Sequence, residues 1–483
     1  MDESNNSAEL DLPESREPYS GSNSAATGAV SANATESIGV VGEFGPSKGS
    51  GAESPLSQAS RSRSNAPRRT RESAITAKGG SAWEPLANPV YRSFWIASFV
   101  SNVGSWMHEI GAGWLMTELD ASPQMVSAVR TAMALPIVLL AIPAGVLADR
   151  IDRRRLLLAT QTLMLLATGT LALLTVTGWV TSWLLLAMTF LIGLGLTLHV
   201  PTWQASMPEL VPRSQLPRAI ALGSVNFNLA RAFGPALAGI LVALTGAWIA
   251  FTFNAVSFIG VVVVLLFWKR GRSESTRGLS FRLSLYQGLR FAYRNRQMRH
   301  VLIRVGLFII PASAVWALLP LVARERLNWG ADGFGILVTA IGGGALIAAK
   351  FLPSMHRRFG FNRGVAVAML FVAVGLTALA LTSNRVVAVS SSLLIGCGWM
   401  MTLTTLNTAA QITLPSRLRA RGMSCYLTAM ALSMSLGSFV WGTVAEQSSI
   451  AAAQLLAAFV LLVAAVCGLS FSLSSTMRRS GGV

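Results

Sequence analysis

Apolar residues run along this chain in long unbroken stretches, not in the short alternations of a soluble protein. Twelve stretches stand out, near residues 94–117, 124–148, 156–177, 181–203, 218–244, 248–268, 300–323, 333–353, 364–382, 386–411, 421–445 and 449–475. Most are about twenty residues long, which at about 1.5 Å of helical rise per residue spans a hydrocarbon core of about 30 Å. The pattern predicts an all-α membrane protein with twelve transmembrane helices. Residues 1–82 follow another regime, rich in Ser, Gly and Ala without apolar periodicity, and are predicted to be a disordered tail. Their first twenty positions are acidic and lack an apolar core, so no secretory signal is expected.

The polar connections divide the spans six from six. Residues 269–299 carry nine basic side chains, with Tyr286, Leu289 and Tyr293 at helical spacing, and predict an amphipathic helix on the inner membrane face. Val211-Pro212, Arg218, Gly234 and Gly239 are echoed by Leu414-Pro415, Arg421, Gly437 and Gly442 at a constant offset of 203. Such an echo predicts two parallel halves. The expected organisation is a cytoplasmic tail (1–82), a six-helix bundle (83–268), a cytoplasmic middle loop (269–299), a second six-helix bundle (300–476) and a short cytoplasmic C-terminal tail (477–483).

Composition agrees with the pattern: 52% of the residues are apolar and 12% charged, against about 25% charged in a typical soluble domain. The net charge of +18 invites a nucleic-acid reading, but its distribution argues otherwise. Of the 39 Lys and Arg, 24 fall in the connections 2–3, 4–5, 6–7, 8–9 and 10–11 and the C-terminus, and 9 in the N-terminal tail. The opposite connections hold Arg324, Arg326 and Arg385 alone. That asymmetry places both termini in the cytoplasm of a multi-pass protein of the cell (inner) membrane and excludes nucleic acid as a partner. The Arg61–Arg71 cluster reads as part of the same orientation signal. Cys397, Cys425 and Cys467 all lie in spans without C-x-x-C spacing, so they read as small packing residues and no metal site is expected.

A charged side chain at bilayer depth costs about 2.5–3.5 kcal/mol on insertion scales, so each one needs a partner or a task. Of the 21 acids, Glu109 alone lies well inside a span. It closes a stripe of Ser98, Asn102, Ser105 and Glu109 on one face of span 1. Arg130 on span 2 sits at comparable depth, both about 9–13 Å from the outer end. Glu109, with His108 and Arg130 beside it, is the candidate for proton coupling, and a fixed Glu109–Arg130 pair joining spans 1 and 2 is the structural alternative. Span 5 carries Ser224, Asn228, Arg231 and Pro235 at the same spacings, with Gly234-Pro235 predicting a bend. Arg231 is placed either against an anionic substrate group or in a structural pair. Asn102, Trp106, Gln204, Asn228, Arg231, Trp316, Asn407 and Gln411 are the candidate substrate-cavity residues. For each tryptophan alone, Trp203 and Trp399 included, helix packing is the simpler reading. No P-loop, H-E-x-x-H or G-x-S-x-G motif occurs. The chain therefore reads as a transporter without catalytic residues or cofactor, drawing energy from an ion gradient and not from bound ATP.

The turn Gly145-Val-Leu-Ala-Asp149-Arg150-Ile-Asp152-Arg153-Arg154-Arg155 resembles the signature loop between helices 2 and 3 of the major facilitator superfamily, except that Asp152 stands where glycine is usual. Asn88-Pro89, Trp114-Leu115, Leu135-Pro136, the run Pro201-Thr-Trp-Gln204, Pro208-Glu209-Leu-Val-Pro212, Asn228-Leu-Ala-Arg231, Gly234-Pro235 and Pro320-Leu-Val-Ala323-Arg324 resemble one branch of it. That branch is the transmembrane secretion effector family, which includes enterobactin-exporter and macrolide-efflux-like proteins. The resemblance implies two pseudo-symmetric six-helix bundles and monomeric, proton-driven export of a small amphiphile (drug, macrolide or siderophore) by alternating access. It also implies a cytoplasmic latch built from Gly145, Asp149, Arg150, Arg153 and Arg154. Import, facilitation or lipid transport on the same fold, and a non-transporting membrane sensor or scaffold, are the other functions compatible with the chain.

Overall fold

The computed structural model describes residues 81–268, 290, 293–415 and 419–473. Those residues are helical almost throughout. In order they form α1 (Pro89–Leu119), α2 (Pro123–Arg150), α3 (Arg153–Val176), α4 (Ser182–Leu210), α5 (Leu216–Thr245), α6 (Trp248–Phe267), α7 (Arg296–Leu321), α8 (Ala331–Leu381), α9 (Arg385–Thr413), α10 (Arg419–Gln447) and α11 (Ile450–Gly468). Among them, ten helices are long and apolar enough to cross a membrane. The polar stripe predicted on span 1 keeps α1 out of that set, although it has 31 residues.

Lipid offers no partners to backbone groups, so helix ends must be satisfied in the polar connections. Side chains there do so. Asn88 accepts from the Val90 N–H at 2.9 Å, Asn295 from Met298 at 2.9 Å and Asn384 from Val386 at 2.8 Å. Ser122, Thr181 and Ser449 cap α2, α4 and α11 in the same way. Asp152 accepts from the Arg155 N–H at 2.9 Å and opens α3, which explains locally why a carboxylate can stand where the signature loop usually has glycine. The predicted amphipathic helix falls largely outside the described residues, Tyr286 and Leu289 with it; Tyr293 is described and exposed.

α8 has 51 residues, roughly 77 Å of rise if straight and far more than one crossing needs. It is broken at Gly360, whose φ of 66° belongs to the left-handed region that glycine enters without penalty. The limb before the break and the limb after it flank α9 at one level. Gly344 touches Leu393 and Gly396 touches Ile341, while Gly375 touches Ile395 and Gly398 touches Ala368. The chain therefore doubles back at Gly360, as the separate apolar stretches 333–353 and 364–382 predict.

α1 packs on α5 and α6, α2 on α4, and α3 on α4 and α6. α7 packs on α10 and α11, and α8 on α9 and α11. Contact between these sets runs mainly through α2–α10 and α5–α8. The echoed glycines make close approaches, as small residues do between membrane helices. A Cβ on Gly234 would lie 2.7 Å from the Trp106 Cβ of α1, and one on Gly437 2.5 Å from the Ile310 O of α7. A Cβ on Gly239 would lie 2.9 Å from the Ala331 O at the start of α8, and one on Gly442 3.0 Å from the Pro123 O at the start of α2. The members of each pair thus make corresponding approaches: Gly234 and Gly437 within their own set of helices, Gly239 and Gly442 across the two sets.

Contacts across the two sets gather towards one end of the molecule. There Arg324 donates to the Thr117 carbonyl, Gln124 to Thr443 at 3.3 Å and Thr131 to the Ser435 carbonyl at 3.4 Å. α5 records the change along its length. Gly234, Pro235, Ala238, Gly239 and Val242 are buried, whereas Ile220, Ser224, Val225, Phe227 and Asn228 towards the other end are exposed.

Candidate functional site

Glu109 on α1 and Arg130 on α2 form an ion pair. The guanidinium of Arg130 also lies over the ring of Trp316 on α7, 5.0 Å from its centroid. One cation thus joins a carboxylate within the first set of helices to an aromatic face in the second. A cavity of about 30 Å³ lies at this point, lined among others by His108, Glu109, Arg130, Trp316, Pro320 and Phe334. One water needs roughly 10–15 Å³ on that measure, so the space suits a water or two and no organic substrate. His108 is buried, its ring 5.0 Å from that of Phe251, with neither ring nitrogen hydrogen-bonded among the described residues. The three proton-coupling candidates therefore share one water-sized cavity at the closed end.

The candidate substrate residues divide. Asn102 donates to Asn226 at 2.9 Å, and Asn226 donates to the Trp95 carbonyl at 2.8 Å, so Asn102 joins α1 to α5. Trp316 and Trp399 are buried and meet edge to face at 5.6 Å. Trp106 and Arg231 do meet, with the guanidinium 5.9 Å from the ring centroid. Trp106 also stands 6.1 Å from Phe227. Gly234 admits this arrangement, because a side chain there would strike Trp106. Pro235 has no N–H to offer the Arg231 carbonyl four residues back, which frees that carbonyl at the bend. Asn228 is exposed and donates to the Ser224 carbonyl at 2.8 Å. Gln204 is exposed on α4, and Asn407 and Gln411 are hydrogen-bonded to each other on α9.

At the end away from the cavity, Arg153 pairs with Glu209 at 2.6 Å and donates to the Ala205 carbonyl at 2.7 Å. Arg154 donates to the Leu265 and Leu266 carbonyls at 2.8 and 2.7 Å, at the C-terminus of α6 where the helix dipole favours a cation. Gly145, Asp149 and Arg150 lie in the last turns of α2, and the side chains there fall outside the described residues. Four partners are not among the candidate site residues: Glu209 and Arg324, which stand in the sequence as parts of resemblance runs, Asn226, and Glu84, which pairs with Arg218 and accepts from Gln215 at 3.0 Å. Each is matched by a contact many residues distant, which local periodicity does not encode.

A sequence profile for the family described as transmembrane secretion effector matches residues 80–480. The staphyloferrin A transporter of Staphylococcus aureus (strain NCTC 8325 / PS 47) is 26% identical over 269 residues, covering 55% of this chain and 68% of that protein. Macrolide efflux protein A of Streptococcus pyogenes is 21% identical over 268 residues, covering 54% of this chain and 65% of its own length. The multidrug efflux pump Tap of Mycolicibacterium fortuitum is 22% identical over 383 residues, 77% of this chain and 92% of the pump. Among solved structures, nucleoside transporter NupG superposes with a TM-score of 0.61 at 14% identity, over 79% of this chain and 98% of NupG, a likeness of fold.

Proposed function

The chain belongs to the transmembrane secretion effector family of major facilitator transporters, and on that premise we propose that it is a proton-coupled exporter of a small amphiphilic molecule. Three of its relatives are named for the handling of a siderophore, macrolides and multiple drugs, which supports that class of substrate. The reading takes the chain to be two six-span bundles in the inner membrane with both termini cytoplasmic, α8 supplying two of twelve crossings. The doubling back at Gly360, the repeated glycine approaches and the placement of basic residues support it.

The observation that carries the coupling is the Glu109–Arg130 pair in a water-sized cavity beneath Trp316. With the basic loops inside, the closed end is the outer one and the exposed wall of α5 faces the cytoplasm. In this state the carboxylate and guanidinium neutralise each other. With the outer end open, a proton from outside neutralises Glu109, which removes the charge held in water there and lets that end close. With the end closed, Arg130 is an unmatched cation in a water-sized cavity, which drives the proton from Glu109 to the inside and restores the pair. Differential affinity for the two states is what lets a proton or a substrate drive the exchange. Arg153, Arg154 and Glu209, with Gly145, Asp149 and Arg150 beside them, form the cytoplasmic latch.

The test is accumulation of amphiphilic dyes, macrolides and siderophores in expressing cells, with and without a protonophore, for wild type and Glu109→Gln. Export predicts lower accumulation in wild type, abolished by the protonophore and by the substitution. Unaltered transport and an unaltered pH profile in Glu109→Gln would remove Glu109 from the coupling path.

A further inference from the structure

We propose that Arg231, seated on Trp106, is an anion-binding subsite in the exposed wall of α5, so that the molecule carried is an aromatic or apolar body bearing a carboxylate, sulfonate or phosphate. The argument begins with depth. Arg231 lies 15 residues from the first residue of α5 and 14 from the last, about 21–22 Å of rise from either end. An arginine near a helix end can snorkel to the headgroups, but one at the middle is beyond that reach. Its charge must be met within the protein or by something that enters it.

The other two arginines inside spans are met. Arg130 has Glu109, and Arg304 donates to the Gly468 carbonyl at 2.9 Å. Among the described residues Arg231 has no ion pair and no hydrogen bond from its guanidinium, and its one described side-chain neighbour of this kind is the face of Trp106. Glu109, one turn beyond Trp106 on α1, attracts Arg231 electrostatically but makes its ion pair with Arg130. The wall therefore presents a positive charge that is only partly offset and has no carboxylate in contact, where the effective dielectric is low and such a charge acts strongly.

The surroundings suit a ligand more than a missing structural partner. Arg231 sits where α5 passes from its buried half to its exposed half. Asn228 and Ser224 continue the polar stripe towards the open end, and Phe227 adds a second ring beside Trp106. An arginine binds an oxyanion through two parallel N–H groups, and the adjacent rings accept the apolar body. A cationic amphiphile would meet like charge at the same place.

The inference rests on the transport reading for its claim that the ligand is cargo, so binding and transport are measured separately. The protein in nanodiscs is titrated with anilinonaphthalene sulfonate and with phenylnaphthylamine, the same ring system without the sulfonate, against empty nanodiscs. A charged hydrogen bond is worth about 1.5–3 kcal/mol, so the sulfonate should bind about tenfold more tightly or better. Arg231→Gln should abolish that preference, Arg231→Lys should keep part of it, and Trp106→Leu should weaken both probes. Equal affinity of wild type for the two probes, binding of neither, or a preference that survives Arg231→Gln overturns the subsite. Absence of protonophore-sensitive uptake into everted vesicles, with the binding preference intact, would count against the exporter and leave the subsite standing.

Discussion

The energetics of single residues turn on whether a charge keeps its partner. Glu109 and Arg130 are 25% and 19% exposed, so water reaches the pair only in part. Breaking a buried pair by removing one member costs about 3–5 kcal/mol when no water is near, because the other charge is stranded. Arg130→Gln should therefore destabilise the protein by about 1–3 kcal/mol, the exposed fraction lowering that figure. The double variant Glu109→Gln with Arg130→Gln should recover much of the loss. Melting of the four proteins of that cycle in detergent gives the coupling between the two sites. Additive effects would mean that no ion pair holds α1 to α2. The pair at the other end makes a useful contrast. Arg218 and Glu84 are 30% and 39% exposed, and pairs so open contribute only about 0–1 kcal/mol. Glu84→Gln should lower the melting temperature far less than Arg130→Gln in the same assay.

At the scale of helices, close approach is written in the glycines. A Cβ on Gly335 would lie 2.6 Å from the Pro235 carbonyl and 2.8 Å from the Gly239 Cα, both backbone atoms that have nowhere to move. Gly335→Val should push α5 from α8 and cost about 1–3 kcal/mol of overpacking. That penalty falls on the closed state, so the variant should expose a cysteine introduced in place of Ala331 to a water-soluble maleimide. Unchanged labelling would mean that this contact does not hold the closed end. Gly260 is the control: nothing lies within 4 Å of its Cβ position, and Gly260→Ala should instead stabilise α6 by about 0.5–1 kcal/mol.

Helices were the legible part of this fold, because a twenty-residue apolar run and a capping Asn, Ser or Asp are local signals. The same holds for the depth of Glu109, Arg130 and Arg231 and for the echo of Gly234 and Gly239 by Gly437 and Gly442. The destinations of side chains were legible only in part. The matched depth of Glu109 and Arg130 pointed to their pair, which forms. Ser98, Asn102, Ser105 and Glu109 read as one polar face, yet Asn102 turns to Asn226 of α5 and Ser105 bonds its own helix at the Ser101 carbonyl. A stripe advancing by 4, 3 and 4 residues faces one sector, and which neighbours fill that sector is decided by tertiary packing. For the same reason Arg153 could be assigned to a helix turn, but its partner Glu209 could not.

The molecule as a whole is closed at one end by groups that belong to both sets of helices. Arg130 under Trp316, Arg324 on the Thr117 carbonyl, Gln124 beside Thr443 and Gly442 against Ser127 are far apart in sequence and near one another at this end. None is strong alone. Together they oppose any motion that opens a path from the exposed wall of α5 to the far side. Alternating access requires that they part in every cycle. Gln124 and Thr443 are suited to testing this, because their side-chain tips lie 3.3 Å apart in a contact away from Glu109 and Arg231. With Cys397, Cys425 and Cys467 replaced by alanine, Gln124→Cys and Thr443→Cys can be joined by a short bismaleimide. Cross-linking should stop export of a dye from vesicles, while each single variant treated with the same reagent should continue to turn over. The locked protein should still bind its ligand from the side on which α5 is exposed, since that wall is already open in the closed-end state. Continued transport by fully cross-linked protein would mean that the substrate does not leave through this end, and that the two sets of helices need not separate here.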